Sequence, residues 1–277
     1  MKKCFWAILL VVNARGPVLG QALWQEGGVP ICTAERDQSD PRIVSDGMGG
    51  AIIVWKDKRD DDGDIYAQRI DKDGNILWTD GGVPISVRDG LQDNPVIVSD
   101  GAGGVIIAWE DWSFGGAIYA QRVNSNGNLL WAEDGVLIAG PPDQWQPAIC
   151  NNGANGAIIT WVSGPGEWMD IYAQQVDGSG QLRWQEGGVS ICTATYMQSR
   201  PKIVSDGEGG AIITWFDLRN YQAVDGIFAQ RVDYDGSIMW QTDGVEVVDW
   251  GASSKDGVSD GFGGAVIAWG KDDGGVY

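Results

Sequence analysis

One phrase, written five times, constrains this chain more than any other feature. "SDGMGGAIIVWKDKRD" begins at Ser45, "SDGAGGVIIAWEDWSF" at Ser99, "SDGEGGAIITWFDLRN" at Ser205 and "SDGFGGAVIAWGKDDG" at Ser259, with a worn copy, "NNGANGAIITWVSGPG", at Asn151. Two tryptophan series mark the period: Trp24, Trp78, Trp131, Trp184 and Trp240, and Trp55, Trp109, Trp161, Trp215 and Trp269, with successive members 52 to 56 residues apart. A repeat of this length describes units that bury their apolar faces against one another rather than folding alone.

Each unit reads as four strands. In the first these are A ("PRIVSD", 41–46), B ("GAIIVW", 50–55), C ("DIYAQRI", 64–70) and D ("NILW" to "GGVPIS", 75–86). Gly- and Asp-rich turns, "DGMGG" and "DKDGN", separate A from B and C from D. Strand B is a continuous Ile/Val run, which predicts cover on both faces. No stretch has helical periodicity. Four antiparallel strands in about 50 residues is the pattern of a propeller blade. Before the four complete units stands a lone strand D, "GQALWQEGGVPICTA", matching "GQLRWQEGGVSICTA" from Gly180; after them come A, B and the start of C, ending at "GGVY". The two partial units together predict a fifth blade, closed by the N-terminal strand pairing with the C-terminal strands. The expected fold is therefore all-β, a five-bladed β-propeller of four-stranded antiparallel blades, with residues 23–277 as one domain. Tyr277 cuts strand C short, which leaves room for a longer parent protein with more blades.

Formal net charge is −19 and no basic stripe is present; nucleic acid and anionic membrane surfaces are not the expected partners. There is no histidine, which removes Ser-His-Asp and Cys-His catalysis and His-ligated metal sites. No cofactor or metal is expected. The start, "MKKCFWAILLVVNARGPVLGQALW", carries two lysines and an apolar run from Cys4 to Val12, too short to span a bilayer and suited to a secretory signal over residues 1–22, with Gly20-Gln21-Ala22 as cleavage site. Secretion, the periplasm or the cell surface is the expected location. Cys32 and Cys192 fall at one position of two units, and Cys150 stands where other copies have Val. All three are expected to be buried small hydrophobes.

The phrase "DGMGGAIIVWKDKRDDDGDIYAQRIDKDGNILW" resembles a repeat of exported bacterial proteins, mostly uncharacterised, whose units form β-propellers. The resemblance spans the chain after its N-terminal segment, and implies export, a propeller and a surface or binding role. A five-blade count is also similar, in architecture alone, to certain lectins and to glycosidases of the arabinanase and invertase type.

Strand alternation places the A–B and C–D turns on one rim and the B–C and D–A connections on the other. The first rim is monotonous. Its "DKDGN" turn drifts to "NSNGN" and "DGSGQ"; "RDDDGDI" (59–65), in a B–C connection of the other rim, has Lys58 where a calcium loop begins with Asp and lacks the distal Glu, so turn formation is preferred to cation binding. The second rim is where copies diverge. Trp112 and Trp168 fall in B–C connections, Trp145 and Trp250 in D–A connections. These indoles either plug the rim or present flat faces to a sugar ring or a protein partner. Gln38, Gln92, Gln144 and Gln198 recur three residues before strand A's Pro, as a backbone clamp or as a lining of the channel mouth. Asp57 with Arg59, and Asp217 with Arg219, form repeated pairs, with Asp111 in the equivalent place. They read as ion pairs that shape loops, or as part of a binding surface.

Two functions follow. The first is an exported, non-enzymatic module that binds a glycan or a cell-surface protein through the Trp-bearing rim, with no residue assigned to catalysis. The alternative is a propeller glycosidase drawing on Asp57, Asp111, Glu167 and Asp217.

Overall fold

A computed structural model describes residues 7–8, 28–166, 168–219, 226–249, 251–271 and 276. Two short strands, β1 (Ala7–Ile8) and β2 (Val29–Pro30), precede the blades. The first blade contains β3 (Gln38–Ser45), β4 (Ala51–Asp57), β5 (Asp64–Ile70) and β6 (Val83–Ser86); the second β7 (Gln92–Ser99), β8 (Val105–Asp111), β9 (Ala117–Val123) and β10 (Val136–Ala139). The third contains β11 (Gln144–Asn151), β12 (Ala157–Ser163), β13 (Asp170–Val176) and β14 (Val189–Cys192); the fourth β15 (Gln198–Ser205), β16 (Ala211–Asp217), β17 (Gly226–Val232) and β18 (Val245–Val248). The fifth shows β19 (Ala252–Ser259) and β20 (Ala265–Lys271). Every blade is an antiparallel meander in sequence order. Residues of all five leading strands, β3, β7, β11, β15 and β19, line one central cavity, so the chain is a five-bladed β-propeller.

The tryptophan series divide the labour. Trp55, Trp109, Trp161 and Trp215 are buried within their blades and stack on Tyr66, Tyr119, Tyr172 and Phe228. The other series joins blades: the Nε1 groups of Trp78, Trp131 and Trp184 donate to the carbonyls of Ser125, Gly178 and Tyr234 in the C–D turn of the following blade. Arginines reinforce two of these seams, where Arg69 and Arg122 each bond an Asp of their own blade, Asp46 or Asp100, and a carbonyl of the next. Strand D, expected as one run, is split: Ile76 makes an isolated bridge to Ile70, and pairing resumes at Val83. The break lets Trp78 reach the neighbouring blade.

The repeated turn residues act as backbone acceptors. Asp46 Oδ1 takes the N–H groups of Met48 and Gly50, and Asn152 does the same for Ala154 and Gly156. Amide and carboxylate serve this role alike, which is why the third unit can write "NNGANG" for "SDGMGG".

At the N-terminus β2 pairs with β1, Ala7 opposite Pro30 and Ile8 opposite Val29. This reproduces the C–D register of the first blade, Tyr66 opposite Pro84 and Ala67 opposite Val83. At the other end Val276 bridges to Gly270, as strand C pairs with strand B in the first blade; Tyr277, which aligns with Tyr66 for the expected pairing to the N-terminal strand, lies outside the described residues, as does most of the signal segment. No helix among the described residues is long and apolar enough to cross a membrane.

Asp64, at the start of β5, is 2 % exposed, and its Oδ1 has no hydrogen-bond partner. Burial, with Asp61, Asp60 and Asp57 nearby, pushes its carboxyl up to about 7. A raised folded-state pKa means stability present at acid pH and lost as pH climbs from the unfolded value through 7. Asp64→Asn should therefore raise the melting temperature at pH 8 and leave it nearly unchanged at pH 4; a scan at the two pH values checks this.

Candidate functional site at the channel mouth

The leading strand of each blade carries an irregularity near its start, on the divergent rim. In the first four blades two residues stand opposite one, between Ser39 and Arg42, Asp93 and Val96, Trp145 and Ala148, and Ser199 and Lys202. The bulge contains a Pro, which has no N–H to leave unpaired. The residue before it is left-handed in each case: Asp40 (φ 53°), Asn94 (49°), Gln146 (52°) and Arg200 (50°). Left-handed backbone before Pro is disfavoured for residues other than glycine, and such strain concentrates at functional sites. The fifth blade replaces the Pro with Lys255.

These bulge residues tie the blades together around the mouth, each seam by different chemistry. Lys56 Nζ bonds Asp93 Oδ1 at 2.8 Å and sits 3.4 Å from Asp40 Oδ2, joining blades one and two. Glu110 Oε1 accepts from Asn94 Nδ2 at 2.9 Å and, across the next seam, from the Gln146 backbone N–H at 2.7 Å. Gln146 Oε1 accepts the Arg200 N–H at 2.7 Å, and the Arg200 carbonyl accepts from Lys255 Nζ at 2.6 Å. The cavity below measures about 690 Å³, within the range of small-ligand pockets. Asn94, Gln146 and Arg200 line it, above a collar of Ile43, Ile97, Ile149 and Ile203.

Trp112 belongs to this mouth. Its Nε1 donates to Glu110 Oε2 at 2.9 Å, while the other oxygen of the same carboxylate holds Asn94 and Gln146. The indole lies over Gly116, where a side-chain carbon would come within 3.1 Å of the ring. One edge of the ring is thereby fixed, and the residue stays 38 % exposed. Trp168 is 67 % exposed in the connection after β12. Trp145 lies within β11 rather than in the connection before it, half-buried against the core shared by blades three and four. Trp250 and Glu167 lie outside the described residues.

The remaining candidates sit beneath the rim. Asp57 and Asp217 are buried, and each Oδ2 accepts from an indole, Trp55 or Trp215, and from an arginine, Arg59 or Arg219, at 2.6 to 2.8 Å. The same guanidinium nitrogens contact Cys32 and Cys192 from the strand D ahead of each unit, and the carbonyls of Gly81 and Asp243. The Cys, Asp and Arg thus form one cluster, present as a set in two units. Burial raises the Asp57 carboxyl, but bonds from Arg59 and Trp55 outweigh it and leave it below the usual range. Asp111 is buried too, with Arg88 Nη1 3.7 Å away. Gln38 reaches Asp57 and the Glu35 carbonyl; Gln92 reaches the carbonyls of Arg88 and Gly90. Gln144 joins the Pro142 carbonyl to Trp161 Nε1, and Gln198 is enclosed with neither amide atom bonded. Three of these four side chains make bonds that hold loops in place.

Burial pushes the Cys192 thiol up to about 12, against the lowering effects of the Ala194 N–H and Arg219. Native protein at pH 8.5 should resist alkylation there, with full labelling only in denaturant; mass spectrometry of the peptide reads the result.

The residues that sequence reasoning missed are Asp40, Asn94, Gln146 and Arg200 with their partners Lys56, Asp93, Glu110 and Lys255. The available signal was the column before the recurrent Pro, which reads Asp, Asn, Gln, Arg in otherwise uniform strands.

The fold and this mouth define a β-propeller with a polar, aromatic-flanked central cavity. No protein-family profile matches the chain, and no curated protein sequence matches it. Among solved structures it is similar to an endo-arabinase from Bacteroides thetaiotaomicron, at 12 % identity over 87 % of this chain and 91 % of that one, TM-score 0.47. A thermostable family-43 glycoside hydrolase matches at 12 % identity over 78 % of each chain, TM-score 0.46. A Hadza microbial sialidase matches at 12 % identity over 86 % of this chain and 53 % of that one, TM-score 0.48.

Proposed function

We propose that the chain is an exported saccharide-binding propeller whose ligand enters the central cavity on the divergent rim. The observation that carries this reading is the Glu110 carboxylate, which fixes the Trp112 indole beside two cavity-lining polar residues, Asn94 and Gln146. A sugar ring has apolar C–H faces and hydroxyl edges. A held aromatic face next to amide groups that donate and accept suits both. Trp168, exposed in a connection of the same rim, offers a second aromatic face. Asp57, Asp217 and Asp111, buried beside Arg59, Arg219 and Arg88, are assigned to the scaffold beneath this site. Export rests on residues 1–22, whose removal after Ala22 would be read from the N-terminal peptide of the secreted protein.

Calorimetry against a panel of plant, algal and microbial oligosaccharides tests the reading. At least one should bind, and Trp112→Ala should weaken it about tenfold or more. A panel without heat or fluorescence change would remove the proposal.

A second reading, a glycoside hydrolase, is favoured by one feature: Asp40 and Asp93 both lie within 3.4 Å of Lys56 Nζ. Sharing one ammonium keeps these two oxygens within about 6 Å of each other, a limit that includes the spacing of retaining glycosidases. Reducing-sugar release lost in both Asp40→Asn and Asp93→Asn would establish it; binding without turnover would eliminate it.

A further inference from the structure

Cations are scarce in this chain, 19 Lys and Arg against 38 Asp and Glu, and those present are mostly neutralised. Seven of the ten described arginines have a carboxylate within 4 Å. Of the three that do not, Arg36, Arg42 and Arg200, two line the central cavity. Lys202 lines it as well, with only a 3.9 Å contact to the exposed Asp256. Lys255 stands behind them, 9 % exposed, its Nζ spent on the Arg200 carbonyl. In the first four blades this position is Pro; a lysine here adds a buried positive charge to a wall that already carries Arg200 and Lys202. The ammonium is destabilised accordingly: burial, then Lys202, pulls Lys255 down to about 7, with Arg200 adding to the repulsion and Asp256 opposing it.

The acids near the mouth are largely engaged. Asp40, Asp93 and Glu110 are bound by Lys56 and by backbone or amide donors, and Asp256, the one carboxylate lining the cavity, sits 3.9 Å from Lys202. Arg42 and Arg200, without a close carboxylate, and the weakly paired Lys202 belong to the cavity wall on blades one and four. An anion in the cavity would relieve their mutual repulsion, and the arginine forks suit planar or tetrahedral oxyanions.

Resting on the saccharide reading above, we infer that the ligand is an acidic saccharide, whose carboxylate or sulfate ester is held by Arg42, Arg200 and Lys202. Extended polyanions do not fit. A cavity of about 690 Å³ takes one or two rings, and outside it the net charge of −19 repels the rest of such a chain. Within the cavity the local cations dominate, because charges beyond about 8 Å are screened at physiological salt.

The test compares three oligosaccharides of equal length by calorimetry: a galacturonan, a sulfated galactan and a neutral galactan. One acidic arm or both should bind at least tenfold more tightly than the neutral arm. That preference should shrink as NaCl rises from 50 to 500 mM and vanish in Arg42→Gln/Lys202→Gln. Both substituted side chains are exposed, and thermal melting confirms that the variant folds. Which acidic arm wins identifies the oxyanion. Equal affinity for all three arms, or a preference that survives in the variant, would overturn the inference and leave saccharide binding intact. Absence of binding in every arm of this test and of the wider panel removes both.

Discussion

Trp161→Ala is expected to cost about 3–5 kcal/mol of folding free energy, a large part of the total stability of an ordinary domain. The indole is 1 % exposed, stacks on Tyr172 and donates to Gln144 Oε1 at 2.6 Å. It packs directly over Gly188, whose φ is +86° and where a side-chain carbon would stand 2.6 Å from the ring and 2.7 Å from the Ala173 carbonyl. Gly188→Ala is therefore expected to lose about 2–4 kcal/mol, from a left-handed non-glycine residue and from overpacking. Leu137→Ala, at a position 44 % exposed, serves as control and should change stability by less than about 0.5 kcal/mol. Urea titrations with unchanged slopes would measure all three. A Trp161→Ala variant as stable as the control would mean that the tryptophan series does not form the core.

Glu110→Gln should have the largest effect on ligand binding for the smallest change in shape. The amide oxygen can still accept from Asn94 and Gln146, as Glu110 Oε1 does. The amide nitrogen replaces the oxygen that accepts from Trp112 Nε1, so two donors face each other. A hydrogen bond to a charged group contributes about 1.5–3 kcal/mol. If Trp112 must be held to bind, affinity falls about 10- to 100-fold. Trp112 emission should shift to the red and the melting temperature should fall by several degrees. Unchanged affinity would separate the indole from the ligand; a collapse in melting temperature would make Glu110 chiefly a seam residue.

Much of this architecture was legible because repetition converts weak signals into strong ones. A single glycine says little, but Gly82, Gly135, Gly188 and Gly244 each stand under a tryptophan of the B series. Their recurrence is one packing event used four times. The site was legible only in part. Trp112 was found from its departure from the period, and it lies at the mouth. Trp145 departs from the period too, yet β11 carries it into the core, since an aromatic side chain near a strand end can turn either way. Glu110 was invisible because its role depends on Gln146, 36 positions away in another blade. Asp40, Asn94, Gln146 and Arg200 share a backbone conformation that no residue among them advertises; only the recurring Pro hinted at it. The Cys32–Arg59 and Cys192–Arg219 contacts were present in the text as paired occurrences, Cys in one unit and Arg in the next.

Saccharide recognition at this mouth requires that strands from different blades converge on one ligand. Hydrogen–deuterium exchange with and without saturating oligosaccharide measures that convergence directly. Protection is predicted together at residues 40–43, 94–97, 146–149 and 200–203 and around Trp112, five segments far apart in sequence. Protection confined to the A–B and C–D turns of the opposite rim, or to a single blade, would contradict it.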